Sequence, residues 1–252
     1  MPFTLSHPAL VLPFNYLPRK YVSMTGLIIG SMMPDFESFI WMKADKTHSH
    51  TWLGILWFSL PVGLLLCFVY HWVVKDMFIS HLPRTLQLKF IKYKNLNWSK
   101  KFREGWLVVV LCIIAGAATH LFWDAFSHFD GFFINSFPSL KGNIQIGSTE
   151  LETPYLIQYL NSLIGLAIIA LVVWKRPEAR GVRIRIVISK FWVVTGAIAF
   201  GIYVLRMSFT DKYRLDDAII TAMSASFIGL IITSVLFKRG KIKDAWEKKN
   251  LA

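Results

Sequence analysis

The chain has 252 residues, of which 54% are hydrophobic and 17% charged, and 28 Lys+Arg against 15 Asp+Glu give a formal net charge of +13. A soluble domain carries about 25% charge and about 45–50% apolar residues, so this composition excludes that class, along with disordered, collagenous and disulfide-rich chains. The two cysteines, Cys67 and Cys112, lie inside apolar runs, where thiols behave as small hydrophobes, and no disulfide is expected.

The opening MPFTLSHPALVLPF has neither a basic leader nor a small-residue cleavage site, so no cleaved signal peptide is expected. Ser6-His7-Pro8 reads as a helix start, with Ser6 as cap and Pro8 in the first turn. His7 at such a start is open between a surface residue and a site residue. The apolar run 11–17 is too short to span a bilayer, which takes about 20 residues.

The run 22–42 is long enough, but Pro34, Asp35 and Glu37 interrupt it. Pro34 disfavours helix at Met33 and removes a donor. The run therefore either spans or is a broken, re-entrant segment, tolerated at membrane depth only where it is buried in protein or faces water. Asp35 reads locally as a cap for a following helix. Thr47-His48-Ser49-His50-Thr51 then precedes the first clear span, 53–74. Histidines at i and i+2 do not share a helix face, so one of His48 and His50 at most is expected to reach a common site. Further spans are expected over 107–123, 157–174, 187–205 and 218–237. The expected fold is all-α: one membrane-embedded helical bundle over 1–252 with five to six transmembrane helices. In it, 1–175 carries the site, and 176–252 adds two helices and a basic tail.

The loops between the runs alternate in charge. Segment 75–106 holds eight Lys/Arg, 125–156 holds one, 175–190 holds six and 238–252 holds six. The positive-inside rule then makes 75–106, 175–190 and the C-terminal tail cytoplasmic and puts 125–156 outside. This accounts for twenty of the 28 basic residues with the lipid bilayer as the partner, and no nucleic acid is expected. It also brings 47–51 and the end of the 107–123 run to the same outer face of the membrane.

At that face the motif Thr119-His120-Leu-Phe-Trp-Asp124-Ala-Phe-Ser-His128 is the most informative. His120 and Asp124, at i and i+4, share a helix face, and His128 follows on nearly the same stripe if the helix continues. Imidazole nitrogen with carboxylate oxygen at this spacing suits a divalent metal. An ionisable pair in an apolar helix is expensive, which makes function the default reading. The bland alternative is a neutral histidine paired with a carboxylate to satisfy both. His71 and His81 read as interfacial residues, and Asp216 and Asp217 as favourable charge at a helix N-terminus.

Taken together, MPFTLSHPALVLP, IGSMMPDFE, SHTWLG and THLFWDAFSHFDGF resemble an uncharacterised family of bacterial membrane proteins over roughly residues 1–175. More remotely, the motif order is similar to membrane-bound metal-dependent hydrolases, and through them to zinc-dependent phospholipase C and single-strand nucleases. The resemblance implies a metal held by His7, Asp35, His120 and Asp124 and by the histidine of the Thr-His-Ser motif. Thr47-His48-Ser49 is the literal match for that motif. Spacing to the following helix favours His50. His128 is added on spacing alone. With no second downstream His-x-x-x-Asp, one or two ions are expected, zinc first, with manganese or iron as alternatives.

The function this implies is hydrolysis of a phosphodiester or phospholipid by metal-activated water at the outer face of the membrane, with Asp35 or Asp124 as general base. A transporter using the same His/Asp cluster is the alternative, and depth discriminates: a transport site lies near the bilayer midplane. A structural protein with an inactive site is the third reading.

Overall fold

The computed structural model describes residues 3–44, 48–126, 131–146, 149–182, 189–210 and 214–250. The chain is an all-α polytopic membrane protein with five helices long and apolar enough to span. In chain order the elements are a 3-10 segment, Thr4–Tyr16, then α1 (Met24–Gly30), a 3-10 turn (Met33–Asp35), α2 (Phe36–Trp41), α3 (Trp52–Ser80), α4 (Arg84–Phe90), α5 (Trp98–Asp124) and α6 (Phe132–Ser136). A two-stranded antiparallel hairpin follows, β1 (Asn143–Ile146) with β2 (Thr149–Glu152), and then α7 (Thr153–Trp174), α8 (Ser189–Ser208) and α9 (Leu215–Asn250). The five spans are α3, α5, α7, α8 and the Leu215–Gly240 part of α9.

The interrupted run 22–42 is not a sixth span. Ser23 caps α1, its Oγ accepting from Gly26 N at 3.2 Å, and α1 stops after seven residues. The Pro34 turn then redirects the chain, and α2 ends in a turn with Met42 at φ 49°. The N-terminus also differs from its reading. Pro8 and Pro13 hold it as a 3-10 segment that starts before Ser6, and the Ser6 hydroxyl donates to Phe3 O at 2.7 Å rather than capping a helix.

The contacts divide the chain into two compact units. The first comprises Met1–Glu37, Lys46–Leu65 and Phe102–Lys175. Inside it α1 lies backbone to backbone on α5. A Cβ at Gly30 would stand 2.3 Å from Ile113 O, and one at Gly116 2.4 Å from Leu27 O. Lipid gives helices little hydrophobic drive to associate, so close approach at small residues and the dispersion it gains take over. Gly26 and Gly30 supply that close approach from α1, with the Cys112 side chain and Gly116 opposite. The same device seats the N-terminal segment on α7. A Cβ at Gly165 would meet Ser6 O at 2.8 Å, and Phe3 N donates to Ser162 Oγ at 2.9 Å.

The second unit comprises Ser38–Asp45, Leu66–Lys101 and Arg176–Ala252. Here α8 and α9 pack on each other, with Gly229 close to Thr195 O. His81 is buried: its ring stacks on Phe191 at 4.3 Å, and its carbonyl accepts from Trp192 Nε1 at 2.7 Å. Asp217 does more than complement the helix dipole, because its carboxylate accepts from Ala44 N at 2.7 Å. Both cysteines are free and buried.

Candidate metal site

Four side chains from three separate stretches of the first unit converge. The Pro34 turn supplies Asp35, the loop before α3 supplies His50, and the last turns of α5 supply His120 and Asp124. One ligand atom of each lies within 4.8 Å of all the others, so the group could hold a metal ion. His50 Nε2 stands 3.4 Å from Asp35 Oδ1 and 3.3 Å from Asp124 Oδ2. His120 Nε2 stands 3.6 Å and 3.3 Å from the same two oxygens. Asp35 and His120 are fully buried, and the His50 side chain keeps 16% of its surface.

The donor chemistry fits a group that could hold a cation. His120 Nδ1 lies 2.7 Å from Ser31 O. A carbonyl only accepts, so Nδ1 carries the proton, and in the neutral ring Nε2 presents a lone pair. Buried Nε2 makes no hydrogen bond among the described residues, yet it faces two carboxylate oxygens. A protonated ring would draw those oxygens to about 2.7–2.9 Å, well inside the separations seen. His50 Nε2 can donate to Asp124 Oδ2 at 3.3 Å or, with its proton on Nδ1, present a second lone pair; two imidazoles and two carboxylates are donor types that divalent ions take. The outward partners fit as well. Ser31 O fixes the His120 tautomer, and Thr4 Oγ1 donates to Asp35 Oδ2, leaving Oδ1 turned toward the histidines. Metal-bound histidines and carboxylates are held by such outer partners.

His7 sits beside the four rather than among them. Its ring stacks on His120 at 3.8 Å, and its Nε2 faces the second oxygen of Asp124 at 3.2 Å. Burial holds the His7 imidazole below the usual histidine range; the neighbouring His120 adds to this and Asp124 opposes it. The structure turns His48 away: its side chain is 64% exposed, and Nδ1 pairs with Glu37 Oε1 at 3.1 Å. His128 and Thr47 lie outside the described residues.

Several partners were not anticipated from the sequence. Thr4 and the Ser31 carbonyl give no local signal. Glu37 gave one, as a second carboxylate two residues after Asp35 in an apolar run. It accepts from His48 N at 3.1 Å and Ser49 N at 2.8 Å, as well as pairing with the His48 ring. Burial alone would raise its carboxyl, but the hydrogen bonds from Ser49 and His48 outweigh this and bring it down to about 2.

A family described as a domain of unknown function (DUF4184) matches residues 1–235. The chain belongs to this family. The DUF4184 match takes in all four converging residues and the five spans almost to their end. No curated protein and no solved structure matches the chain.

Proposed function

We propose that the chain is a membrane-bound, zinc-dependent hydrolase acting on phosphodiesters or phospholipids at the outer face of a bacterial cytoplasmic membrane, with its C-terminus cytoplasmic. The observation that carries the reading is the convergence of Asp35 Oδ1, His50 Nε2, His120 Nε2 and Asp124 Oδ2 at 3.3–3.6 Å across the four His–Asp pairs. Bonds of about 2.0–2.2 Å place the ligand atoms of a tetrahedral zinc about 3.3–3.6 Å apart. Manganese and iron take the same donor types and are the alternatives.

An ion held there supplies Lewis-acid chemistry, polarising a phosphoryl oxygen and making water a usable nucleophile near neutral pH. The chain's own residues supply the rest. His50, His120 and Asp124 are the holding set, two histidines and one carboxylate, a combination that leaves a coordination position open. Asp35 sits farthest from His120, and Thr4 anchors its other oxygen; its Oδ1 accepts the proton of the attacking water. His7 packs its ring on His120 and lies 3.2 Å from the Asp124 oxygen that faces away from the centre.

Depth supports hydrolysis over transport. Asp124 is the last residue of α5, His120 lies one turn earlier, about 6 Å at 1.5 Å per residue, and His50 precedes the start of α3. A site at helix ends lies away from the midplane, where transporters bind their cargo. Exposed Trp52 and Phe122 flank these same helix ends, as interfacial aromatic residues do, and a lipid substrate suits that position. The burial of the site favours one other reading, a closed four-ligand zinc that only stiffens the fold.

Zinc-loaded protein in detergent is expected to hydrolyse a chromogenic phosphodiester or a short-chain phospholipid. Asp35→Asn is expected to lower kcat by about 100-fold or more, the usual contribution of a general base, while bound zinc is retained. Zinc-loaded wild type that cleaves neither substrate would leave the structural reading in its place.

A further inference from the structure

We propose that Glu37 is the positioning residue of the metal site, clamping the turn at His48–Ser49 so that His50 is held against Asp35 and Asp124. The inference rests on the metal reading above and deepens it.

His50 is the one member of the four that regular structure does not carry. His120 and Asp124 ride on α5 well past its kink at Gly105, and Asp35 sits in a proline-started turn, whereas residues 48–50 form bends only. A ligand on a loop is placed to within a fraction of an ångström only if its neighbours lock it. Glu37 does so at three points. Oε2 accepts from His48 N and Ser49 N at 3.1 and 2.8 Å, and Oε1 pairs with His48 Nδ1 at 3.1 Å. A fourth tie comes from the other side of Asp35, where Ser49 Oγ donates to Pro34 O at 2.6 Å. The residues flanking Asp35 thus bind the two residues preceding His50, and the two ligands are brought together as one piece. Past His50, the Thr51 hydroxyl accepts from Gly54 N at 2.8 Å and starts α3, fixing the loop's far end. Glu37 is itself buried. A buried carboxylate is costly without partners, and here its partners are the backbone of the ligand loop.

The test is a double-mutant cycle on zinc affinity, by chelator competition on the full chain in detergent, with the melting point of the metal-free protein measured alongside. Glu37→Ala is expected to weaken zinc about 10–100-fold, as loss of an outer partner does. In a His50→Ala background the same change is expected to cost nothing further, because the residue it positions is gone. A merely structural Glu37 would lower the metal-free melting point with zinc affinity unchanged, or weaken zinc equally in both backgrounds. Either result overturns the proposal. Should Glu37→Ala fail to fold, Glu37→Asp, one methylene short, goes through the same cycle, with weakening of about fivefold or more expected only when His50 is present. Wild type that binds no zinc overturns the metal reading itself; wild type that binds while the Glu37 variants bind equally overturns only this one.

Discussion

Asp124→Asn is expected to move two properties in opposite directions: zinc affinity falls by more than about a hundredfold, beyond what loss of an outer partner costs, yet the metal-stripped variant is more stable than metal-stripped wild type. Both follow from the same atoms. With no cation at the centre, Asp124 Oδ2 stands 3.3 Å from the lone-pair nitrogen of His120 and 3.3 Å from His50 Nε2. His50 Nε2 lies at hydrogen-bond distance and can donate, but His120 sets acceptor against acceptor in a buried site, which is unfavourable and which a bound ion would relieve. An amide at 124 does the next best thing: its NH2 donates toward His120 Nε2, and its carbonyl stays on the His7 side, 3.2 Å away. Giving a partner to a buried polar atom that lacks one recovers about 1–3 kcal/mol. Excess zinc reverses the order, since a ligand at a thousandfold its Kd stabilises the state that binds it by about 4 kcal/mol. Melting curves with chelator and with zinc, on both proteins, read all four corners. Equal stability losses with and without metal would show that Asp124 only packs.

Gly30→Ala is the second large effect. One added methyl is expected to cost about 3 kcal/mol or more of stability, the upper range for overpacking, and to abolish zinc binding. Its Cβ would lie 2.3 Å from Ile113 O and 2.8 Å from Ile113 Cα, and these are backbone atoms of a long helix that cannot swing aside. Relief comes only by lifting α1 from α5. That displaces Ser31 from His120 Nδ1 and drags the Pro34 turn, with Asp35, out of the site. Gly196→Ala is the control, since its Cβ meets nothing within 4 Å; its effect is expected to stay within about 0.5 kcal/mol. Unfolding in a denaturing detergent series, with zinc content at each step, measures both. A Gly30→Ala protein as stable and as zinc-replete as the control would show that the α1–α5 contact does not shape the site.

What could be read along the chain was whatever has a local signature. Apolar runs of span length located all five spans. The i, i+4 pairing of His120 and Asp124 and the Pro34 break that carries Asp35 marked three of the four converging residues. Spacing to α3 separated His50 from His48. What could not be read depends on segments far apart in sequence. Gly26 and Gly30 are four apart, a recognised small-residue spacing, yet only the arrival of Ile113 and Gly116 gives it meaning. Thr4 meets Asp35 across 31 residues, and Ser31 meets His120 across 89. Local composition carries no trace of either. His81 shows the same limit: next to a basic loop nothing announces that Phe191, 110 positions later, stacks on its ring. Whether 22–42 spans was likewise undecidable from its apolar character, because a short helix, a proline turn and a second short helix can be built from the same residues as one long helix.

The central claim is that His50, His120 and Asp124 hold a divalent ion with Asp35 beside it. The most direct measurement is elemental mass spectrometry of the detergent-purified protein, loaded with zinc at neutral pH and desalted, beside a His120→Ala/Asp124→Ala variant treated identically. The expected result is about one zinc per chain in wild type, the occupancy of a single site, and none above background in the variant. Wild type that carries no zinc, manganese or iron after loading, or a variant that retains the ion, would contradict it.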